Sequence, residues 1–393
     1  MKYSEFTTRI AGDGAEAWKI HDRAVALQKD GRDIILLSLG EPDFDTPAVV
    51  VEAVIDSLRA GHTHYSEFVG IPALRQAIAE KHKTHTGQFV DAENVVVMAG
   101  AQNAMYAAVH CLVNPGDEVI IPEPTYVTYE AVLGAVGAIQ VGVPMDPDRD
   151  FYLDPAEILA AVTAKTKAII LNSPHNPTGV CLTREQVSAI GEICLANDLW
   201  LVADEVYAAL VFEDKHHSIA SVPGLADRTV VISSLSKSHA MSGWRLGWLI
   251  GPKPLIEHIS NMIIAMLYGT PTFIQHAGVT AITDGDKASE EMRDIYRARR
   301  DQVFERLNRV PGLRCRLPGG GMFMMIDVRE SGYSGQQFSE YLLEHYGVSA
   351  LAGEAFGANA AGHLRLSLGT SADILLEACE RIDRCFTQLR STR

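Results

Sequence analysis

Short, unbroken apolar runs recur between residues 94 and 250, and they constrain the fold more than any other feature of this chain. A strand with one solvated face alternates apolar and polar positions, whereas a strand covered by helices on both faces is apolar throughout. Stretches with helical spacing, such as residues 100–112, separate the runs. The pattern predicts an α/β fold with a mainly parallel sheet sandwiched by helices. The predicted strands span residues 94–98, 118–122, 167–172, 199–203, 229–232 and 246–250.

The sequence changes character after about residue 286. Residues 290–310 have the pattern of one long, charged helix. Residues 321–328 and 363–367 have the composition of strands, and a helix from about Ala372 follows them. These elements predict a smaller α+β unit after the large sheet.

Length and composition are sufficient for two folded domains. The chain has 393 residues, of which 47% are hydrophobic, enough to bury a substantial core. The segment that precedes the first predicted strands is expected to pack with the C-terminal part. We therefore expect a large domain at 47–285 and a small domain made of 1–46 plus 286–393.

The composition argues against several classes of function. A formal net charge of -15 is unfavourable for binding nucleic acid, which normally needs a basic surface. The six cysteines lack C-x-x-C spacing, which indicates free thiols in a reducing cytoplasm rather than disulfides or a zinc site. The histidine pairs lack accompanying ligands, so no metal site is expected. No apolar run reaches membrane-spanning length and no signal peptide is recognisable, so we expect a cytoplasmic protein without a membrane partner.

Lys237 follows the run at 229–232, at the edge where open α/β sheets bind ligands. Hydroxyls at Ser234 and Ser236 and the guanidinium of Arg245 accompany its amine. Together these groups suit a phosphorylated aldehyde that a lysine holds as a Schiff base, which is the chemistry of pyridoxal 5'-phosphate (PLP). The simpler alternative is a solvated lysine in a serine-rich loop.

A second alternative for the same segment is a serine acyl-transfer enzyme. Ser234 and Lys237 stand in the S-x-x-K spacing of enzymes of the β-lactamase type, which also need S-D-N and K-T-G strings. Neither string occurs in the sequence, and G-x-S-x-G is absent as well. The acyl-enzyme hypothesis therefore lacks the partner motifs that it requires.

Other polar residues follow or interrupt neighbouring runs. Asp204 ends the run at 199–203, where its charge needs a cation such as a pyridinium nitrogen; alternatively, it caps a helix. Tyr207 and Asn176 come just after strand ends, where they can reach a ring oxygen, although Asn176 also suits a plain turn. Arg365 lies inside an apolar strand and needs a carboxylate partner, and its fork fits a substrate α-carboxylate.

Two further positions could complete a site for a ring and its phosphate. Ala101 and Gln102 open a helix directly after Gly100, and the free N–H groups of a helix start favour a phosphate. Tyr126 follows another run and could stack on a flat ring, although core packing is its default interpretation. Each signal is modest alone, whereas their ordered recurrence at strand ends is specific.

Over essentially its whole length the chain resembles the class I and II aminotransferases of PLP fold type I. The resemblance implies a seven-stranded-type sheet in the large domain, PLP as the cofactor, and ping-pong transfer of an amino group from an amino acid to a 2-oxo acid. The order and spacing of the matching strings make it specific. They cover residues 38–44, Tyr65 with 70–75, 176–179, 204–207, 234–237 with Arg245, and Arg365.

The resemblance also implies roles for individual residues. Lys237 would be the catalytic residue and the covalent anchor of the cofactor, and Asp204 would pair with the ring nitrogen. Tyr65 would reach the phosphate of the neighbouring subunit, which implies a homodimer with shared active sites. The substrate α-carboxylate would be received by Arg365, Asn176 and the backbone of Gly40. The remaining cofactor contacts would come from Ala101, Gln102, Tyr126, Asn176, Tyr207, Ser234, Ser236 and Arg245.

Substrate choice is the least determined property of this sequence. An arginine side chain would need an acidic partner in its pocket, for which Asp13, Glu16 and Glu67 are the candidates; each is otherwise a plain surface carboxylate. An aspartate-, alanine- or aromatic-directed aminotransferase, or a PLP-dependent C–S lyase, is the alternative. Within the family, the transaminases that pair arginine with pyruvate are most closely resembled by the strings at 172–177, 236–241, 266–269 and 351–357.

Overall fold

The computed structural model describes residues 2–12 and 17–391. None of the helices in these ranges is both long and apolar enough to span a bilayer. The helices are α1 (Glu5–Arg9), α2 (Ala17–Lys29), α3 (Ala48–Arg59), α4 (Pro72–Thr86), α5 (Ala101–Leu112), α6 (Tyr129–Val136), α7 (Pro155–Ala160), α8 (Arg184–Ala196), α9 (Lys253–Met266), α10 (Thr272–Asp284), α11 (Asp286–Leu307), α12 (Gly335–Tyr346) and α13 (Ala372–Ser391). The strands are β1 (Ile35–Leu36), β2 (Val95–Met98), β3 (Glu118–Glu123), β4 (Ile139–Asp146), β5 (Tyr152–Leu153), β6 (Thr166–Asn172), β7 (Trp200–Asp204), β8 (Thr229–Ser234), β9 (Gly247–Ile250), β10 (Arg314–Cys315), β11 (Phe323–Asp327), β12 (Val348–Ser349), β13 (Leu351–Ala352) and β14 (His363–Ser367).

An eight-stranded sheet forms the centre of the larger part of the molecule. Its strand order is β2-β9-β8-β7-β6-β3-β4-β5, and the neighbours from β8 to β4 are all parallel. β9 runs antiparallel to both of its neighbours, and the two-residue β5 is antiparallel to β4. The predicted α/β fold, with a mainly parallel sheet of seven-stranded type, is confirmed, and β5 adds a short eighth strand.

Helices cover both faces of this sheet, which explains the unbroken apolar runs. Along β2, the side chains of Val95 and Val97 join one core, while those of Val96 and Met98 join the other. The first core includes residues of α3, α4, α8 and α10, and the second includes residues of α5, α6 and α9. Burying one such aliphatic side chain contributes about 1.5–3 kcal/mol, so a strand buried on both faces is held firmly in place.

The carboxyl ends of the parallel strands meet at one edge of the sheet, where ligands bind in open α/β folds. Asn172 ends β6 and Asp204 ends β7, and the two residues are paired in register. Ser234 ends β8, and Lys237 follows it in the segment that turns back into β9. Tyr126 lies in the loop from β3 to α6. The parallel topology thus brings polar residues from distant parts of the sequence to a single edge.

A second, four-stranded antiparallel sheet in the order β10-β11-β14-β13 shares a core with α11, α12 and α13. The segment around β1 joins this smaller part, because β1 pairs in parallel with β12. Helix α1 contacts α6 instead, where the Nε of Arg9 donates to the carbonyl oxygen of Gly134, 2.9 Å away. The domain boundaries at residues 46 and 286 remain a prediction.

Helix α11 and strand β4 differ from the sequence prediction, and the two-residue strands β1, β5, β10, β12 and β13 were not predicted either. Helix α11 begins and ends a few residues earlier than the predicted 290–310 and is capped by Asn308. Strand β4 was not predicted, because it lies near the edge of the sheet and carries buried and exposed residues in partial alternation rather than an apolar run. It also contains Gly142 and Pro144, two residues that sequence patterns associate with strand interruption.

Candidate active site

A cleft opens at the carboxyl edge of the large sheet. It contains about 670 Å³ of space, including the part open to solvent. The predicted cofactor residues that line it are Ala101, Gln102, Tyr126, Asn176, Asp204, Tyr207, Ser234, Ser236, Lys237 and Arg245. The wall is completed by Met105, Tyr129, Asn172, Val206 and Ser242, none of which was assigned a role from the sequence.

Lys237 projects its amine into this cleft. Its Nζ donates to the carbonyl oxygen of Gly40, 2.6 Å away. Burial lowers the pKa of Lys237 to about 8, with the guanidinium groups of Arg365 and Arg245 acting in the same direction and Glu41 opposing them. A free lysine has a pKa near ~10.4, so this amine is neutral, and therefore nucleophilic, much more often at neutral pH.

Asp204 is buried at the end of β7. The Tyr129 hydroxyl donates to its Oδ2 (2.7 Å), and its Oδ1 accepts the backbone N–H of Val206 (3.2 Å). Burial raises the pKa of Asp204 to about 6, and these two hydrogen bonds oppose the shift. No cation of the described residues forms an ion pair with it. The helix-capping alternative is wrong, because a 3-10 turn follows at Ala208–Leu210 and Tyr207 is its first flanking residue.

Arg365, on β14, is only 3% exposed. Its Nη1 donates to Oδ1 of Asn176 (3.0 Å) and its Nη2 to the carbonyl oxygen of Ser38 (2.8 Å). The guanidinium lies 4.1 and 5.0 Å from the ring centroids of Phe323 and Phe356. Its Nε has no hydrogen-bond partner, and no carboxylate of the described chain pairs with it. Burial lowers the pKa of Arg365 to about 10, and a buried, unpaired cation is suited to an anionic ligand.

The start of α5 faces the turn after β8. At Gly100, whose φ is +84°, an added Cβ would come 2.5 Å from Nη2 of Arg245, so the guanidinium packs directly over the backbone. The Nη1 of Arg245 donates to the carbonyl oxygen of Ser242 (2.7 Å), and the N–H of Ser236 donates to Oγ of Ser234 (3.3 Å). The first N–H groups of a helix lack intrahelical acceptors. Together with an arginine and two hydroxyls, they form a site suited to a phosphate.

Two tyrosine rings complete the polar wall of the cleft. Tyr207 is buried and packs edge-on against Phe323, with 5.9 Å between ring centroids. Burial raises the pKa of Tyr207 well above its ordinary value, which keeps its hydroxyl protonated and able to donate. Tyr126 packs edge-on against Tyr129 at 5.6 Å. Nearby, the Thr128 hydroxyl donates to the side-chain oxygen of Gln102, 2.9 Å away.

Two of the five lining residues without a role assigned from the sequence, Asn172 and Tyr129, form hydrogen bonds with Asp204. The Nδ2 of Asn172 donates to the backbone carbonyl of Asp204 (3.0 Å), and its Oδ1 accepts the N–H of Asn176 (2.7 Å). The sequence did contain a signal for Asn172, because it is a polar residue at the end of an apolar run, as Asp204 is in the next run along the chain. Tyr129 contacts Asp204 directly. It had no comparable signal in the sequence, because it begins α6 and Tyr126 lies in the loop before that helix.

Two predicted residues that the structure describes, Tyr65 and Glu67, do not line the cleft of their own chain. Tyr65 is 85% exposed and packs edge-on against Tyr268, with 5.0 Å between centroids. Glu67 is exposed on the same segment. Asp13 and Glu16 lie outside the described residues. A shared site between two copies therefore remains a prediction.

Comparison with known proteins identifies the family. The sequence pattern of the family described as aminotransferase class I and II matches residues 32–382. The chain is 56% identical to arginine–pyruvate transaminase AruH of Pseudomonas aeruginosa over 99% of both chains. It is 36% identical to an aspartate aminotransferase of Pyrococcus horikoshii over 90% of both. The solved aspartate aminotransferase of Thermus thermophilus with maleate is 34% identical and superposes with a TM-score of 0.93, covering 98% of this chain and 100% of that one.

The extent of these matches leaves little of the chain unaccounted for. The matched residues 32–382 include the whole large sheet, the four-stranded sheet and every residue that lines the cleft. The predicted resemblance and the predicted enzyme class are therefore confirmed. The chain belongs to the class I and II aminotransferase family.

Proposed function

We propose that this aminotransferase uses PLP and moves the α-amino group of arginine to pyruvate. The observation that carries the cofactor proposal is a pair of unmatched buried charges in one site, the carboxylate of Asp204 and the guanidinium of Arg365. The same site also contains the amine of Lys237. A cationic ring and a substrate carboxylate would satisfy both charges at once.

The side chains of the cleft fit PLP group by group. The start of α5, Ser234, Ser236 and Arg245 suit its phosphate, and Asp204 suits its ring nitrogen. Asn176 and Tyr207 would hold its phenolic oxygen, and Tyr126 would offer a ring face. When bound, PLP supplies an aldehyde that links covalently to an amine and a ring that accepts electrons from the substrate Cα.

Lys237 has two tasks in this proposal. Its amine first anchors the cofactor, and after an amino acid displaces it, the same amine takes and returns the proton at the substrate Cα. The pKa of about 8 leaves a useful neutral fraction at neutral pH. A positioned general base typically contributes about 10²–10⁴-fold to the rate. The carbonyl oxygen of Gly40, 2.6 Å from Nζ, holds the amine toward the cleft.

Arg365 orients the substrate through its α-carboxylate. The planar guanidinium donates hydrogen bonds to Asn176 and Ser38 and lies near two phenylalanine rings, so its direction is fixed before a ligand arrives. A bidentate pair to a carboxylate would give both affinity and alignment of the Cα bonds. Because every α-amino acid carries this carboxylate, Arg365 serves all substrates alike.

Arginine and pyruvate are proposed as substrates because of the 56% identity to an arginine–pyruvate transaminase over nearly the whole chain. A guanidinium side chain needs an acidic partner. Glu67 is the described candidate, and it would have to act on the neighbouring subunit, because it is exposed and outside the cleft of its own chain. The alternatives are aspartate, alanine or aromatic donors, and elimination by a C–S lyase.

A homodimer with shared active sites is part of the proposal. The exposed rings of Tyr65 and Tyr268 pack against each other and form a small aromatic surface outside the cleft. A second copy of the chain packed on this surface could receive the Tyr65 hydroxyl at its phosphate site. We also propose a reducing cytoplasm as the location, since all six cysteines are unpaired.

Replacement of Lys237 tests the cofactor proposal. Lys237→Ala should lose at least about 10²–10⁴-fold in turnover and should also lose the visible absorbance of covalently held PLP. The matched control is Lys215→Ala, which removes an exposed lysine outside the cleft and should change neither quantity. A Lys237→Ala protein that keeps its turnover or its absorbance would refute the assignment.

Amino-donor profiling tests the substrate proposal. Arginine with pyruvate should give the highest kcat/KM, with 2-oxoglutarate compared as the second acceptor. Double-reciprocal plots at several pyruvate concentrations should be parallel, as ping-pong kinetics requires. Preference for aspartate, alanine or an aromatic amino acid would favour the alternative aminotransferases. Pyruvate and ammonia formed without any acceptor would reveal a lyase.

A further inference from the structure

Tyr129 forms a side-chain hydrogen bond with Asp204, and no role was predicted for it from the sequence. Its hydroxyl donates to Oδ2 of Asp204 at 2.7 Å, and both side chains are buried. We propose that Tyr129 is a positioning residue, whose hydroxyl fixes the orientation of the Asp204 carboxylate and keeps it ionised for a cationic ring. This inference rests on the proposed use of PLP.

The local fold explains how Tyr129 reaches the site. It is the first residue of α6, directly after the loop that carries Tyr126 from the end of β3. The two rings pack edge-on with an interplanar angle of 85°. The Tyr129 ring also belongs to the core between α5, α6 and the sheet, so its hydroxyl has little freedom to move. One short connection therefore supplies both a ring face and a hydroxyl aimed at the carboxylate.

The hydrogen bonds of Asp204 leave it incompletely satisfied without a ligand. Each carboxylate oxygen has one protein donor, the Tyr129 hydroxyl on Oδ2 and the N–H of Val206 on Oδ1. An ionised carboxylate accepts about four hydrogen bonds. The carboxylate lines the cleft, so the unused acceptor positions are available to a cation there. The Tyr129 bond prevents rotation of the carboxylate away from this direction.

The hydrogen bond from Tyr129 helps to keep Asp204 ionised, because its other surroundings mostly favour the neutral carboxyl group. Burial raises the pKa of Asp204 to about 6, Tyr129 and the Val206 N–H lower it, and Glu205 raises it. Removal of the hydroxyl would leave burial and Glu205 with only one opposing bond. The other titratable or charged groups that line the cleft or interact with this cluster are Tyr126, Tyr207, Lys237, Arg245 and Arg365.

The direction of the expected pH effect follows from the charge of the ring. Asp204 pairs with a cationic ring only when it is ionised. Binding is therefore favoured above the pKa of Asp204 and weakens as the pH falls through it. Loss of the Tyr129 hydroxyl raises this pKa, so the weakening should begin at a higher pH. A hydrogen bond to a charged group corresponds to a factor of about ten or more in an equilibrium constant, or about one pH unit.

The experiment measures binding of pyridoxamine 5'-phosphate to the cofactor-free protein between pH 5 and pH 8.5. This probe has no aldehyde, so its binding does not require a covalent bond to Lys237. Its phosphate also titrates near pH ~6, but equally for every variant, so differences between curves report the protein. Tyr129→Phe should shift the acidic loss of affinity upward by about one pH unit and weaken binding at pH 7 by up to about tenfold.

Tyr296→Phe is the matched control. Tyr296 is also fully buried, but its hydroxyl has no hydrogen-bond partner among the described residues. Its replacement should leave the binding curve unchanged. In an Asp204→Asn background there is no carboxylate to ionise. Tyr129→Phe should then change the affinity by less than about twofold, because the effect of the Tyr129 hydroxyl depends on that carboxylate.

The possible results separate this inference from the proposed function. A Tyr129→Phe curve that coincides with that of the unchanged protein overturns the role of Tyr129 but leaves the use of PLP intact. An unchanged protein that binds no pyridoxamine phosphate overturns both. If Tyr129→Phe alone does not fold, the double variant with Asp204→Asn should fold, because the under-satisfied buried carboxylate is gone. Failure of the double variant to fold would also overturn the inference.

Discussion

At the scale of single residues, buried charges without partners are the most informative feature of this molecule. Arg365 could be singled out from the sequence because a guanidinium inside an apolar strand requires a counter-ion. The structure contains two polar acceptors and two aromatic rings around it, but no carboxylate among the described residues. Its Nε remains unpaired. A ligand carboxylate is the simplest group that would complete this environment.

Arg365→Lys tests what this guanidinium recognises. Lysine keeps the positive charge but loses the planar fork. Since a charge-assisted hydrogen bond is worth roughly 1.5–3 kcal/mol, we expect kcat/KM to fall by about 10- to 100-fold for every α-amino acid tested. Steady-state kinetics with arginine, alanine, aspartate and phenylalanine would measure the effect. A fall for only one donor would mean that Arg365 contacts substrate side chains instead.

Arg300→Lys is the control for this change. Arg300 is equally buried, but it pairs with Glu213 and Asp301 and donates to the carbonyl oxygen of Pro318. Its replacement should lower the melting temperature without a comparable loss of kcat/KM for any donor. Equal losses for the two variants would indicate a general effect of disturbing a buried arginine.

The predictability of the site depended on where each residue lies in the sequence. Lys237, Asp204 and Asn176 could be predicted because each follows an apolar run, and parallel strands place their carboxyl ends together. Tyr129 could not be recognised in this way, because it begins a helix and an aromatic residue at such a position is expected simply to pack in the core. Its role depends on a single hydrogen bond to another strand end. Such contacts are set by tertiary packing, which a local pattern does not contain.

At the scale of elements, the predicted strands of the large sheet match the structure to within one or two residues. This accuracy has a physical cause, since strands buried on both faces must be apolar throughout. β4 has no such constraint along its exposed positions, and its sequence pattern is correspondingly weak. The short strands β1, β10, β12 and β13 have only two residues each. Their pairing is set by the surrounding packing, so their sequences carry little signal.

The turn from β2 into α5 offers a test at this scale. Gly100→Ala should destabilise the protein by about 1–3 kcal/mol, because φ is +84° and an alanine is strained there. The added methyl group would also displace the guanidinium of Arg245. We therefore expect binding of pyridoxamine phosphate to weaken about tenfold or more, as a charged hydrogen bond is lost. Urea denaturation and a ligand titration would measure the two effects separately.

Gly116→Ala separates the effect of backbone strain from the effect of displacing the Arg245 guanidinium. Gly116 has a φ of +86°, but nothing lies within 4 Å of its added Cβ. Its replacement should reduce stability to a similar extent while leaving the affinity for pyridoxamine phosphate unchanged. If both variants lost affinity equally, backbone strain would account for the result, and the packing of Arg245 on Gly100 would not define the phosphate site.

At the scale of the whole molecule, one residue that was predicted to contact the cofactor lies outside the cleft of its own chain. Tyr65 matches a family string, yet its ring is 85% exposed and lies outside the cleft. The exposed rings of Tyr65 and Tyr268 pack against each other on the surface, and clustered exposed apolar groups often mark protein–protein contacts. Both observations are explained if two copies of the chain pack on this surface and the Tyr65 of each copy reaches the site of the other. The prediction that Tyr65 serves a neighbouring copy came from the family resemblance, because local sequence patterns do not distinguish contacts within a chain from contacts between copies.

Mixed dimers provide a decisive test of this exchange. One chain would carry Lys237→Ala and the other Tyr65→Ala, and differently tagged copies would allow the mixed dimer to be purified. If Tyr65 serves the neighbouring site, one site of the mixed dimer contains both substitutions and the other contains neither. We then expect about half of the unchanged turnover per dimer, because a twofold-symmetric dimer has two equivalent sites. If Tyr65 serves its own site, both sites are defective, and the mixed dimer should be no more active than its parents. A Tyr65→Ala parent with full activity and unchanged PLP affinity would instead show that Tyr65 does not contact the phosphate.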